Sequence, residues 1–134
     1  MAKIERFEDV LAWQKARELV KEVYRVSRNP MFAKDFGLRD QIRRAALSIM
    51  LNIAEGFARK TSRELLQFLV VAHGSTAEVQ SALYVALDQS YIDQAQFECL
   101  YKIADETSKV IMGFSNYLRK SSSKSFGPKD SRTQ

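Results

Sequence analysis

Few residues in this chain have the chemistry for catalysis or metal binding. The 134 residues include one cysteine, Cys99, and one histidine, His73. A zinc site needs a cluster of Cys and His ligands, and a lone cysteine cannot close an intramolecular disulfide. The Glu-x-x-His pairs that hold iron in helical bundles are also missing, because Val70 stands three residues before His73. We therefore predict neither a metal site nor a cofactor.

The sequence also lacks a recognisable catalytic motif. No histidine lies near Cys99 to activate its thiol, so we interpret Cys99 as a small packed residue. Phosphate-binding loops of the G-x-x-x-x-G-K or G-x-G-x-x-G type do not occur among the five glycines. These features favour a protein that is not an enzyme.

The composition favours binding to anions. Lys and Arg number 21 against 16 Asp and Glu, which gives a net charge of +5. The surplus lies in residues 1–60, whereas acidic residues outnumber basic ones in residues 61–90. Contacts with phosphates are sequence-independent and weaken with salt, and no motif for base-specific readout occurs. The candidate nucleic-acid contacts are Arg17, Lys21, Arg25, Arg28, Arg39, Arg43, Arg59, Lys60 and Arg63.

An ordinary solvated helix face is the alternative explanation of the basic residues between Arg17 and Arg28. In that case Glu18 and Glu22 pair with Lys21 and Arg25 at a spacing of three residues. Oligomerisation favours phosphate binding over this alternative, because it multiplies the positive charge of one chain.

Four helices position these side chains. Apolar residues recur at steps of three and four in each, and Asn29 with Pro30 ends the first. Thr61 with Glu64, and Asp93 with Gln96, have the spacing of a capping box and open the third and fourth. The predicted helices run from about Asp9 to Arg28, from Asp35 or Phe36 to Arg59, from Thr61 to Asp88, and from Asp93 to Lys120.

These helices predict an all-α domain, an antiparallel up-down-up-down four-helix bundle over residues 1–120. Residues 121–134 are rich in Ser and charge and are predicted to be a flexible polar tail. No signal sequence or stretch of about 18 apolar residues occurs, so we expect a cytoplasmic protein without a membrane partner.

The second and third predicted helices each carry a second apolar surface opposite the core stripe. One bundle can bury a wide stripe, so these helices are either central in the packing or in contact with another copy of the chain. We predict the second case, a homo-oligomer, because a closed assembly covers such a patch in every subunit. The predicted interface residues are Leu47, Met50, Leu51, Ala54, Phe57, Leu66, Val70, Ala77 and Tyr84.

A narrow polar line separates the two apolar surfaces of the second predicted helix. Polar groups between apolar surfaces need partners, and a satisfied structural network is the favoured interpretation. Glu78 on the third helix is a candidate counter-ion for Arg43 or Arg44. The predicted network comprises Gln41, Arg44, Ser48, Asn52, Glu55 and Glu78.

The segment from Gly37 to Ile49, followed by Asn52-Ile53-Ala54-Glu55-Gly56, resembles the signature of a bacterial four-helix bundle family. Its founding members are encoded by intervening sequences in 23S ribosomal RNA genes (S23-like proteins). The flanking pattern, covering about residues 7–118, includes Phe7, Trp13-Gln14-Lys15-Ala16, Phe68-Leu69, Ala72, Gly74-Ser75 and Glu78.

This resemblance implies a four-helix bundle that assembles as a five-membered ring with a basic surface, as do the related accessory proteins of diversity-generating retroelements. It also implies association with RNA, DNA or a nucleic-acid enzyme. Met50-Leu51 replaces the usual Pro and small residue, which implies a straighter second helix, and Ala58 stands where the pattern often has Gly. The alternative function is a ring module that only docks a partner protein.

Overall fold

The computed structural model describes residues 4–126 and the side chains of residues 4–121, and this part of the chain is all helical. A 3₁₀ turn, Phe7–Asp9, precedes five α-helices. They are α1 (Leu11–Ser27), α2 (Pro30–Lys34), α3 (Phe36–Ala58), α4 (Ser62–Asp88) and α5 (Gln94–Phe126). The four long helices, α1, α3, α4 and α5, correspond to the four predicted ones.

The short helix α2 was not predicted, because Pro30 was interpreted only as a stop signal. Proline is also favoured in the first turn of a helix, where its missing N–H loses no hydrogen bond. Asn29 caps α2 by accepting a hydrogen bond from the backbone N–H of Met31 at 3.0 Å. The same two residues therefore end one helix and begin another.

The long helices form an antiparallel bundle. α1 packs against α3 and α5, and α4 packs against the same two helices. Gln41 near the start of α3 contacts Glu78 far along α4, whereas Arg59 after α3 lies over Phe68 near the start of α4. This order of contacts shows that α3 and α4 run in opposite directions, and it confirms the predicted helical bundle.

Side-chain caps begin the helices where the capping spacings predict them. Thr61 Oγ1 accepts from the N–H of Glu64 at 3.2 Å. At α5 the pair is reciprocal, since Gln96 N–H donates to Asp93 Oδ1 at 2.7 Å and Asp93 N–H donates to Gln96 Oε1 at 2.9 Å. Asp35, which opens α3, accepts from the N–H of Leu38 at 3.1 Å. Each cap satisfies a backbone donor that the first turn leaves unpaired.

The end of α4 depends on a residue with a left-handed backbone. Ser90 has φ 62°, and Tyr91 N–H donates to the carbonyl of Ala86 at 2.9 Å. Ser90 N–H donates to Leu87 at 3.0 Å, which completes a Schellman motif. Glycine is the usual residue at this position because a Cβ is disfavoured there.

The core stripes of α3 and α4 are buried largely as their periodicity predicts, but α1 differs. The periodicity of this helix predicts a core stripe of Trp13, Ala16, Val20, Val23 and Ser27. Leu19 and Val26 are fully or almost fully buried although this stripe omits them, whereas Trp13 and Val20 are only half-buried. α1 packs against α5 as well as α3. Its buried face is therefore turned toward α5 relative to the predicted stripe.

Gly56 marks a close approach between α3 and α4. A Cβ at this position would stand 2.8 Å from Phe68 Cβ and 2.9 Å from Leu65 Cδ1. Both distances are shorter than carbon atoms tolerate without a shift of the neighbours. Glycine therefore permits the contact between these two helices.

The predicted polar tail begins inside α5. This helix continues to Phe126, past the predicted end at Lys120, and residues 127–134 lie outside the described part of the chain. The Ser and Lys residues after Lys120 are tolerated in a helix, and no Pro or Gly occurs before Gly127 to end it. Within the described residues, no helix has the length and apolar content to cross a membrane.

Candidate nucleic-acid interface

The outer face of α1 carries a row of exposed basic side chains. Arg17, Lys21, Arg25 and Arg28 are all exposed and lie on the side opposite the buried Leu19. Their spacing of three and four residues keeps them on one stripe. The structure thus brings four of the nine candidate contacts together.

Only one member of this row has an acidic partner among the described side chains. Arg25 forms an ion pair with Glu22 at 2.6 Å, and its hydrogen bond to Glu22 raises the pKa of Arg25 above its ordinary value. Glu18 lies nearer to Lys15, at 3.9 Å, so the expected pair with Lys21 does not form. Arg17, Lys21 and Arg28 have no carboxylate within 4 Å in residues 4–121.

Arg39 and Arg43 on α3 are half-buried and engaged with the protein. Arg39 pairs with Asp40 at 2.9 Å, and its guanidinium lies 4.9 Å from the ring centre of Phe36. Arg43 Nε donates to Ser27 Oγ at 2.8 Å, and its guanidinium lies 4.6 Å from the ring centre of Tyr24. These contacts hold both guanidinium groups in defined positions.

Arg59, Lys60 and Arg63 form a separate group at the far end of α3. Arg59 pairs with Glu55 at 3.0 Å and lies over Phe68, while Lys60 and Arg63 are exposed. The helical rise places Arg59 about 24 Å from Arg43 along the axis. The nine candidate contacts therefore form two groups rather than one surface.

An open groove of about 570 Å³ lies along the outer side of α3 next to α1. Arg43 and Arg44 supply its charge, while Leu47 and Leu51 form an apolar shelf. Tyr24 of α1 forms the opposite side. Lys21 and Arg28 stand three and four residues from Tyr24 on α1, so the basic row of α1 borders this groove.

The predicted polar network is formed only in part. Ser75 Oγ donates to Ser48 Oγ at 2.9 Å, and Asn52 Nδ2 donates to the Ser48 carbonyl at 2.8 Å. Gln41 Nε2 donates to Glu78 at 3.4 Å, so Glu78 contacts neither Arg43 nor Arg44 as an ion pair in the described structure. Arg44 itself is exposed. Two hydrogen bonds of the network thus link α3 to α4, a neutral one between Ser48 and Ser75 and one from Gln41 to the exposed carboxylate of Glu78.

The predicted interface residues fall into three environments. Met50, Phe57 and Leu66 are half-buried against the core of their own chain. Leu47 and Leu51 lie on the groove shelf, with Ala54 half-buried on the same helix. Val70, Ala77 and Tyr84 are exposed on α4, where Tyr84 contacts Phe97 and Tyr101 of α5. The second apolar surfaces of the two helices therefore do not form one continuous patch.

Sequence reasoning missed the two residues that position Arg43. Tyr24 was not singled out, and Ser27 was assigned to the core stripe of the first helix. Ser27 is buried, yet its hydroxyl accepts from Arg43, so it serves packing and orientation together. Their pairing depends on how α1 is rotated against α3, which periodicity within one helix does not specify.

The fold and the sequence both have known relatives. Residues 8–113 match the 23S rRNA-intervening sequence protein family. The structure is similar to the crystal structure of a protein of unknown function from the S23 ribosomal protein family of Bacteroides thetaiotaomicron, with a TM-score of 0.72 and 22% identity. The similarity covers 78% of this chain and 98% of that one. A comparison with curated proteins gives no match. Since the family pattern extends over most of the chain, this protein belongs to the 23S rRNA-intervening sequence protein family.

Proposed function

We propose that the protein is a non-enzymatic, homo-oligomeric accessory protein that binds the backbone of RNA or DNA without sequence preference. One observation carries this proposal: Arg17, Lys21 and Arg28 share an exposed stripe of α1 and lack acidic partners among the described side chains. When such cations contact phosphates, they displace the counterions bound to the nucleic acid, and this release provides affinity that does not depend on base sequence.

The length of the stripe suits a polyanion better than a small ligand. Arg17 and Arg28 are separated by about 16 Å along the helix axis. Duplex DNA carries one charge per roughly 1.7 Å of axis, so this distance spans several phosphates. Flexible exposed side chains on a convex helix also favour backbone contact over readout of base edges.

The placement of the two reactive side chains supports a function without catalysis. His73 lies beside Met112 and Ser115, whereas Cys99, interpreted from the sequence as a packed residue, is instead exposed near the start of α5. The helical rise separates Cys99 from Met112 by about 20 Å. A histidine at that distance cannot activate the thiol.

Self-association is the second part of the proposal, and α4 offers the better surface for it. Val70, Ala77 and Tyr84 recur every seven residues, the spacing of a helix–helix seam. Val70 is 60% exposed and Tyr84 is 51% exposed. The shelf of Leu47 and Leu51 is less suited, because pairing it would also desolvate the neighbouring arginines. A ring of such subunits would repeat the basic stripe of α1 around its circumference.

Fluorescence anisotropy with a structured RNA and a duplex DNA across a salt series tests the binding. We expect affinity for both that falls steeply with salt, and a shallower salt slope for the triple variant Arg17→Gln/Lys21→Gln/Arg28→Gln. Lys109→Gln is the matched control, because Lys109 is exposed but paired with Asp105 on α5. Absence of binding at low salt, or binding that ignores salt, would contradict the proposal.

A further inference from the structure

We propose that the groove between α1 and α3 binds unpaired nucleotides of the strand held by the basic stripe, so that the protein prefers single-stranded or looped RNA to a perfect duplex. This inference rests on the proposed function and adds a ligand class to it. It concerns Arg43, Arg44 and the shelf of Leu47 and Leu51, not the outer stripe of α1.

Arg43 is the preorganised element of the groove. Its Nε donates to the buried Ser27, and Tyr24 covers one face of its guanidinium. This hydrogen bond leaves the two terminal nitrogens for a ligand, and no carboxylate lies within ion-pair distance of them among the described side chains. A guanidinium held flat in this way binds a phosphate through a fork of two donors or stacks on a base.

The shelf beside Arg43 offers an apolar contact, which a phosphate ion alone would not use. Arg43, Leu47 and Leu51 follow at steps of four along α3, so the charged group leads directly onto apolar surface. Leu51 is 60% exposed. A nucleotide has the matching combination, an anion joined to a flat ring with apolar faces.

The charge of the groove is compatible with a phosphate. Its one acidic member, Asp40, accepts from Arg39 at 2.9 Å, which offsets the negative charge. Arg44 is exposed, and Ser48 and Asn52 add polar groups at the edge. The volume of about 570 Å³ is in the range of nucleotide-sized sites.

The difference between strand types follows from base stacking. In a duplex the faces of the bases are stacked on one another, and a protein surface reaches only phosphates, sugars and base edges, so no base face covers the shelf. An unpaired base can leave the stack and cover it. The stripe on α1 contacts the phosphates of both strand types, whereas the groove adds a contact only with unpaired bases.

The test compares a single-stranded RNA with the perfect duplex of the same length, by anisotropy at low salt. The variants are Arg43→Lys, which keeps the charge but loses the planar fork, and Leu51→Ser, which removes the shelf. Arg6→Lys is the matched control, because Arg6 is exposed and lies outside both the groove and the candidate nucleic-acid contacts. Duplex binding by each variant also reports that it is folded.

We expect the wild-type protein to prefer the single strand, and each groove variant to weaken single-strand binding about tenfold while duplex affinity stays unchanged. Equal losses for both RNAs, or no loss for the single strand, would overturn the groove proposal while leaving backbone binding in place. An unchanged affinity for the single strand is also the result expected if the groove binds a protein partner instead. If the wild-type protein binds neither RNA, the proposed function fails and this inference fails with it.

Discussion

The hydroxyl of Tyr91 donates to Asp35 Oδ2 at 3.0 Å and joins the segment before α3 to the segment after α4. Phe32 stacks on the Tyr91 ring at a centroid distance of 5.3 Å. The two connections at this end of the bundle are therefore linked by a polar and an aromatic contact. Neither was predicted, because Asp35 and Tyr91 lie far apart in the sequence.

Tyr91→Phe should lower stability slightly and remove a pH dependence. The hydrogen bond to Asp35 raises the pKa of Tyr91 above its unfolded value. The contribution of this hydrogen bond to the free energy of unfolding is therefore complete below about pH 10 and is lost as the pH rises through the pKa of Tyr91 in the folded protein. Urea unfolding at neutral and alkaline pH measures this effect. The variant should show a smaller alkaline loss than the wild type, and identical losses would contradict the assignment.

Gly56→Ala should destabilise the fold by about 1–3 kcal/mol, because the added Cβ meets Phe68 and Leu65 at less than 3 Å. Gly74→Ala is the matched control within α4, since nothing lies within 4 Å of a Cβ there. That change should stabilise the helix by about 0.5–1 kcal/mol. Denaturant unfolding of both variants measures the contrast, and a Gly56→Ala protein as stable as the wild type would rule out the close approach.

Ser90→Gly should stabilise the protein by about 0.5–1 kcal/mol, because Ser90 holds a left-handed backbone at the end of α4. Thermal unfolding measures the gain. Ser81→Gly is the control, since Ser81 lies inside the same helix, where glycine should cost stability. If Ser90→Gly is also destabilising, the turn after α4 has a different conformation.

Val70→Glu should reduce the mass of the assembly in light scattering behind size-exclusion chromatography. Val70 is 60% exposed, so a charge there disturbs a neighbouring subunit more than the fold itself. Leu51→Glu provides the comparison at equal exposure on α3. We expect the Leu51→Glu protein to keep the wild-type mass. A monomeric wild-type protein would contradict self-association, and dissociation only by Leu51→Glu would move the interface to α3.

The helices could be predicted from the sequence because their signals are local. Thr61 and Asp93 cap helices with partners three residues away, and the burial of Ile42 and Ile49 follows from periodicity within one helix. α2 was missed because Pro30 has two meanings, a stop and a first-turn residue. Local patterns thus specified elements and most of the core.

The candidate site was less predictable because it depends on contacts between helices. The exposed row on α1 follows from spacing alone, but Glu78 takes its partner Gln41 from a neighbouring helix. Lys15 likewise pairs with Glu106 of α5 as well as with Glu18 of its own helix. The groove required Tyr24 and Arg43 to face each other across α1 and α3. Such pairings depend on helix rotation, on which a single sequence carries little direct information.

The hydrogen bond between Ser48 and Ser75 has a consequence for the register of α3 and α4. Ser75 is 4% exposed, and its hydroxyl reaches Ser48 at only one axial setting of the two helices. A slip of one turn, about 5.4 Å, would take Ser48 away from that hydroxyl and bring a residue with a Cβ, in place of Gly56, against Phe68 and Leu65. The polar pair and the glycine together select one sliding position from several that an apolar seam alone would accept.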